Sequence, residues 1–224
     1  MPTSAFEQIP DVVKAVAAYQ PHSILDVGIG CGKYALLLRE YMEGSTRPPS
    51  LALNPATREL RIDGVEVFED YVTDVQHLLY DRIMIGDIVD LAPALEAYDV
   101  IMLIDVIEHI PRPLAIGVID QLLGRARRGI VLATPYKPCP QGALFGNPRE
   151  THVDLWSKRD FARWPLAQVV TCADQLLVCI SKDQEMNPWM TVQILRQAPL
   201  WPLRRRWWRC ARWWRGKKQM RETP

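Results

Sequence analysis

Two rhythms of apolar residues run along the 224-residue chain. Short unbroken apolar runs bounded by Gly, Pro, Asp or Asn predict buried strands, whereas apolar positions three and four apart predict helices. Residues 11–19, between Pro10 and Pro21, have the helical spacing. The run 24–27 predicts a first strand and 34–41 the helix after it. Residues 61–66, 82–88, 98–105 and 129–135 predict further strands, with helices at 70–79, 92–97 and 113–126 between them. The run 98–105 is apolar at nearly every position, as expected of a strand covered on both faces inside a parallel sheet. Runs 166–171 and 175–181 flank Cys172-Ala173-Asp174 and predict an antiparallel hairpin. A helix start is expected at 156–161, with Ser157 as cap and Asp160 in the first turn. Strands alternating with helices predict an α/β fold with a doubly wound, mostly parallel sheet.

Two stretches break the alternation. Residues 43–55 are rich in Gly, Ser, Pro and Asn and predict an insertion before the second strand. Residues 136–154 form a long Pro- and Gly-containing segment, read as a lid on the acceptor side, because long irregular segments in small domains tend to be functional. Residues 190–196 fit strand or helix equally.

Composition adds a charge asymmetry. From Pro199 onward there are nine Lys or Arg and one Glu, a balance of +8; the remainder holds 18 basic and 25 acidic residues, a balance of −7. This predicts a domain over 1–198 and a basic tail over 199–224 with partners of its own. The five cysteines are scattered without a C-x-x-C pair, which fits a reducing compartment and gives no zinc-finger spacing. Neither a secretory start nor an apolar run of about 18 residues is visible, so the expected location is cytoplasmic.

The chemistry concentrates after the first strand, in Asp26-Val27-Gly28-Ile29-Gly30-Cys31-Gly32-Lys33. Glycines at 28, 30 and 32 allow a tight turn whose backbone can approach a ligand, and the free N–H groups of the next helix face the same spot. Lys33 stands where a dinucleotide fingerprint has its third glycine. The Asp26 carboxylate at the strand tip would repel a pyrophosphate but suits an ammonium group and ribose hydroxyls. This run resembles the first motif of the class I S-adenosylmethionine-dependent methyltransferases, an acidic residue followed by G-x-G-x-G. The resemblance extends to Asp105-Val106-Ile107-Glu108-His109, similar to the loop after the fourth strand in many small-molecule methyltransferases. It reaches further to Asn147-Pro148, Glu150-x-His152 and Trp156.

The resemblance implies a Rossmann-like, seven-stranded sheet with an antiparallel C-terminal hairpin and helices on both faces. It also implies S-adenosyl-L-methionine as cofactor, with Asp26, Gly28, Gly30, Gly32, Glu66, Asp87, Ile88 and Asp105 around it. Glu66, at a strand end, can accept hydrogen bonds from both ribose hydroxyls. By resemblance, Asp87 accepts from the adenine amino group and the Ile88 backbone faces the ring.

Methyl transfer is an in-line displacement, so positioning supplies much of the catalysis, and a hydroxyl acceptor needs a base. His109 is the first candidate because it titrates near neutrality on the loop beside the methyl group. Glu108 can orient it or bind cofactor, and His152 is the second candidate base. A metal held by Glu108, His109, His152 and Asp154 has no support from spacing, so no metal is expected.

The acceptor is expected to be a small molecule or a lipid- or glycan-linked group, methylated on oxygen. No N-P-P-F/Y loop of the adenine-N6 type is present, and Pro138-Cys139 follows the fifth strand rather than the fourth. In the tail, Trp and Arg interleave so that a helix would carry Leu203, Trp207 and Trp214 on one stripe, suiting an anionic membrane surface and a peripheral location. Two alternatives remain from the sequence: a non-catalytic S-adenosylmethionine- or nucleotide-binding module docked to a membrane, and a nucleic-acid methyltransferase recruited by the tail.

Overall fold

The computed structural model describes residues 4–44, 48 and 53–183; the expectations for 190–196 and for the basic tail lie outside them. Its seven strands are Ser23–Val27 (β1), Arg61–Glu66 (β2), Arg82–Ile85 (β3), Tyr98–Ile104 (β4), Ala126–Pro135 (β5), Ala167–Cys172 (β6) and Gln175–Ser181 (β7). They form one sheet in the order β3-β2-β1-β4-β5-β7-β6. The pairs up to β5 are parallel, and β7 runs antiparallel to both β5 and β6. This is the mixed, doubly wound sheet the alternation predicts. Every residue of β4 and β7 is buried, which accounts for their unbroken apolar runs.

The helices are Ile9–Ala18 (α1), Lys33–Leu38 (α2), Asp74–Leu79 (α3), Ile88–Leu91 (α4) and Arg112–Arg125 (α5). After α2 the chain makes one wider turn, Arg39–Glu43. Buried Arg39 and Glu43 then close the insertion. Arg39 donates to the Leu60 carbonyl at 2.8 Å, and Glu43 accepts from the Leu60 N–H at 2.8 Å. The first residues of β2 are thereby held where the strand must begin, whatever the insertion does.

Several predicted boundaries move for local reasons. The third strand stops at Ile85, because Asp87 caps α4 by accepting from the Val89 N–H at 2.9 Å; Ile88 is therefore helical. The helix expected at 92–97 is only a 3₁₀ turn, Ala92–Ala94, followed by extended backbone at Leu95. The helix expected from 70 starts at Asp74, with Thr73 as the residue of a capping box. Ser157 and Asp160 form the expected box, yet Lys158–Arg163 stays 3₁₀. Pro165 disfavours helical backbone at Trp164, which is extended, so the segment ends there. β5 begins at Ala126 rather than Gly129.

Candidate functional site

Strand order reverses between β1 and β4, where a doubly wound sheet opens a crevice at the carboxyl ends of its strands. The ends are level: Val27 pairs with Val65 and with Leu103, and Glu66 with Ile85. Amides just past the strands continue the ladder and fix each loop's first step. Gly28 N–H donates to the Val65 carbonyl at 2.9 Å, Gly86 N–H to Glu66 at 2.8 Å, and Asp105 N–H to Ala133 at 2.9 Å.

Gly28 has φ +75°, and a Cβ there would stand 2.7 Å from Cγ2 of Val106. The glycine turn and the loop after β4 are thus in contact, and only a residue without a side chain allows it. Gly32, at φ +76°, caps α2 and packs on Leu79.

A cavity of about 290 Å³ occupies the crevice. Gly28, Gly30, Glu66, Asp87, Ile88, Asp105, Glu108, His109 and His152 all line it. Two sequence-predicted residues do not reach this wall. Asp26 is buried behind it, accepting a hydrogen bond from the Tyr80 hydroxyl at 2.6 Å, and Gly32 faces α3. Burial pushes the Asp26 carboxyl up to about 7 against the opposing effect of Tyr80. A carboxyl held by a neighbouring phenol stiffens the strand tip from inside.

Glu66 is held by two amides. Oε2 accepts from Gly30 N–H and Oε1 from Phe68 N–H, each at 3.1 Å. Both oxygens keep a lone pair for the cavity. Burial raises its pKa, and the backbone donors oppose that rise. Asp87, besides capping α4, meets the guanidinium of Arg149 at 2.9 Å.

Across the crevice, Asp105 takes a left-handed conformation, φ 55°, which Asp tolerates better than most residues. Its Oδ2 accepts from the amide of Gln8 at 2.8 Å, while Oδ1 is buried without a partner. Burial carries its carboxyl up to about 6, with Gln8 and the Lys33 charge opposing. Glu108 is buried at 1% exposure. Its Oε2 accepts from the Thr134 hydroxyl at 3.0 Å and its Oε1 has no partner. Burial, then the nearby Asp105, pushes its pKa well above the ordinary carboxylate range.

Two loops bring the histidines together. Val153 and Asp154 donate their N–H groups to the Glu108 carbonyl at 2.9 and 3.2 Å, so the segment after β5 is tied along the loop after β4. Trp156, 1% exposed, completes the tie by donating to the Ile107 carbonyl at 3.3 Å. The rings of His109 and His152 consequently lie edge to face, 4.8 Å between centres. His109 Nδ1 lies 3.2 Å from the Thr151 carbonyl, and His152 Nδ1 lies 2.6 Å from the Cys139 carbonyl. Those contacts place the ring protons on Nδ1 and leave both Nε2 atoms as acceptors. Burial lowers the His109 pKa, which keeps the ring neutral at pH 7. Asp154 turns away, accepting from the Arg112 N–H at 2.7 Å at the start of α5.

Gln8, Tyr80 and Arg149 carry no sequence signal for these positions. Each meets its partner across at least 54 residues of chain, and each reads as an ordinary polar or aromatic residue.

No family model and no curated protein matches the sequence. Among solved structures, the chain is similar to an O-methyltransferase family protein from Burkholderia thailandensis, with a TM-score of 0.55 and 14% identity. That match covers 79% of this chain and 56% of the other, so the chain spans little more than half of that protein. It is similar to magnesium protoporphyrin IX methyltransferase from Synechocystis PCC 6803 with bound S-adenosylmethionine, at TM-score 0.51 and 15% identity over 79% of this chain and 78% of that one. The N-terminal domain of EvdMO1, solved with S-adenosylhomocysteine and D-fucose, gives a TM-score of 0.52 and 15% identity over 80% and 83% of the two chains. At such identities the likeness is one of fold, and that fold is the class I S-adenosylmethionine-dependent methyltransferase fold.

Proposed function

We propose that the chain is an S-adenosylmethionine-dependent methyltransferase acting on a hydroxyl of a small-molecule or a lipid- or glycan-linked acceptor. One observation carries the reading. The glycine turn, the Glu66 and Asp87 carboxylates and the histidine pair meet on one cavity at the switch point of the sheet. The residues suit the cofactor: Gly28 and Gly30 offer bare backbone, Glu66 oriented acceptors for ribose hydroxyls, Asp87 an acceptor for an exocyclic amine. Asp105, with its unpartnered Oδ1, suits an ammonium group. Bound there, S-adenosylmethionine supplies an activated methyl group on a sulfonium.

His109 presents a neutral Nε2 on the loop beside that group. This nitrogen would take the proton of an acceptor hydroxyl whose oxygen would receive the methyl group that the bound cofactor supplies. A positioned base contributes about 10²–10⁴-fold. Calorimetry with S-adenosylmethionine and with NAD tests the cofactor: binding of the first alone is expected, and binding of NAD alone overturns the reading. His109→Ala should then lower the transfer rate by about 10² or more.

The tail supports a peripheral membrane location for this enzyme, on sequence grounds alone. Interleaved Trp and Arg suit the headgroup boundary, with each cation near an anionic leaflet worth about 1 kcal/mol. The full chain should bind anionic vesicles more tightly than a chain ending at Ala198; equal binding removes the anchor. Among the described residues no helix is long and apolar enough to cross a membrane.

A further inference from the structure

We propose that Glu108, His109 and His152 bind a divalent transition-metal cation in the floor of the cavity. Their ligand atoms lie within 4.8 Å of one another. An ion about 2.1 Å from each nitrogen is then reached by small side-chain rotations. The backbone carbonyls that would orient both rings are already in place. His109 Nδ1 is turned to the Thr151 carbonyl and His152 Nδ1 to the Cys139 carbonyl. This is the arrangement that fixes the tautomer of ligating imidazoles and leaves Nε2 for the metal.

The independent sign of a missing partner is on Glu108. Thr134 holds one oxygen, while Oε1 is buried with nothing to accept from. Such an atom is costly to bury unless something fills its place. Asp105, whose Oδ1 is also buried and unpartnered, adds negative charge nearby. Arg112 and Arg149 do not satisfy these oxygens, because they pair with Asp154 and Asp160 and with Asp87.

Two imidazoles and a carboxylate suit Mn²⁺, Fe²⁺, Co²⁺ or Zn²⁺ better than the all-oxygen preference of Mg²⁺ or Ca²⁺. Three protein ligands leave positions open on the cavity side, where an acceptor oxygen can coordinate. The inference rests on the methyl-transfer reading for the identity of that oxygen and changes one part of it. With the cation in place, His109 is a ligand, and the acceptor hydroxyl loses its proton to water because the metal lowers its pKa.

The test titrates Mn²⁺ into the full-length, chelator-treated protein and follows free Mn²⁺ by electron paramagnetic resonance, with S-adenosylhomocysteine calorimetry run in parallel. One Mn²⁺ per chain is expected, displaced by Zn²⁺. His152→Ala and Glu108→Gln should each weaken it at least about tenfold, and Asp154→Asn should leave it unchanged. His152→Ala removes a partly exposed side chain, so it serves if Glu108→Gln does not fold. Absence of Mn²⁺ binding at millimolar concentration, or binding that survives His109→Ala with His152→Ala, overturns the proposal. S-adenosylhomocysteine binding reports separately on the methyl-transfer reading: cofactor without metal refutes only the cation, and metal without cofactor refutes only the methyltransferase.

Discussion

The guanidinium of Arg149 lies 2.9 Å from the Asp87 carboxylate, joining the segment after β5 to the loop after β3 beside the cavity that both residues line. The arginine is more than half exposed, and exposed pairs are worth at most about 1 kcal/mol. Arg149→Ala should therefore weaken S-adenosylhomocysteine binding less than about tenfold, chiefly through faster release. Asp87→Ala removes both the α4 cap and the acceptor proposed for the adenine amine, and should cost more. Stopped-flow release rates compare the two.

Glu66→Gln places an amide NH₂ against two backbone donors that now point at carboxylate oxygens. One N–H loses its acceptor, and the ribose loses a charged one. Hydrogen bonds to charged groups contribute about 1.5–3 kcal/mol, so cofactor affinity should fall by about 10- to 100-fold in calorimetry, with little change in the far-ultraviolet circular dichroism spectrum.

Gly28→Ala imposes a side chain at φ +75° and drives it to 2.7 Å from Val106. The left-handed penalty of about 1–2 kcal/mol adds to the clash. A lower melting temperature and lost cofactor binding are expected. Adding Val106→Ala should recover part of the stability and leave the backbone penalty in place.

Stability should depend on pH through Asp26. Its carboxyl is raised from 3.8 to about 7, so the folded state holds a proton that the unfolded chain has released in that interval. The contribution is complete below 3.8 and disappears as pH rises through about 7. Asp105 and Glu66 shift the same way. Urea unfolding should show stability falling between pH 4 and 7, and Asp26→Asn should flatten that slope.

Trp156→Phe keeps an aromatic ring in the core but removes the donor to the Ile107 carbonyl. The Ile107 carbonyl keeps the Ile110 N–H at 3.3 Å, so the loss is one hydrogen bond, about 0.5–1.5 kcal/mol. Transfer should suffer more than cofactor binding, because Ile107 precedes Glu108 and His109 while the glycine turn is untouched.

The strands were legible because burial on both faces of a parallel sheet writes itself as unbroken apolar runs such as 100–104. Glu66, Asp105 and His109 could be picked out because each ends a strand or follows one, and strand ends face the crevice. Asp26 satisfies the same rule, yet its side chain points inward to Tyr80, a matter of pleat parity set by packing rather than by residue type. The meeting of His152 with His109 could not be read from spacing, since it depends on N–H groups of Val153 and Asp154 finding the Glu108 carbonyl. Short helices were misplaced where a cap or a proline a few residues away set the boundary, as at Asp87 and Pro165.

The tie between those amides and Glu108 divides the long segment after β5 into two parts with different freedom to change. Residues 151–156 are bound to the loop that carries His109, by the Thr151 carbonyl, the Val153 and Asp154 amides and the Trp156 indole, so substitution there should disturb the end that holds the histidines. The stretch around Phe145, whose ring is largely exposed, lies outside those bonds, while Gln141 and Asn147 on either side of it line the cavity. Homologues or designed chimaeras can exchange that tip to admit acceptors of new size and polarity while the paired imidazoles stay in register, which makes it the place to begin when altering what this protein accepts.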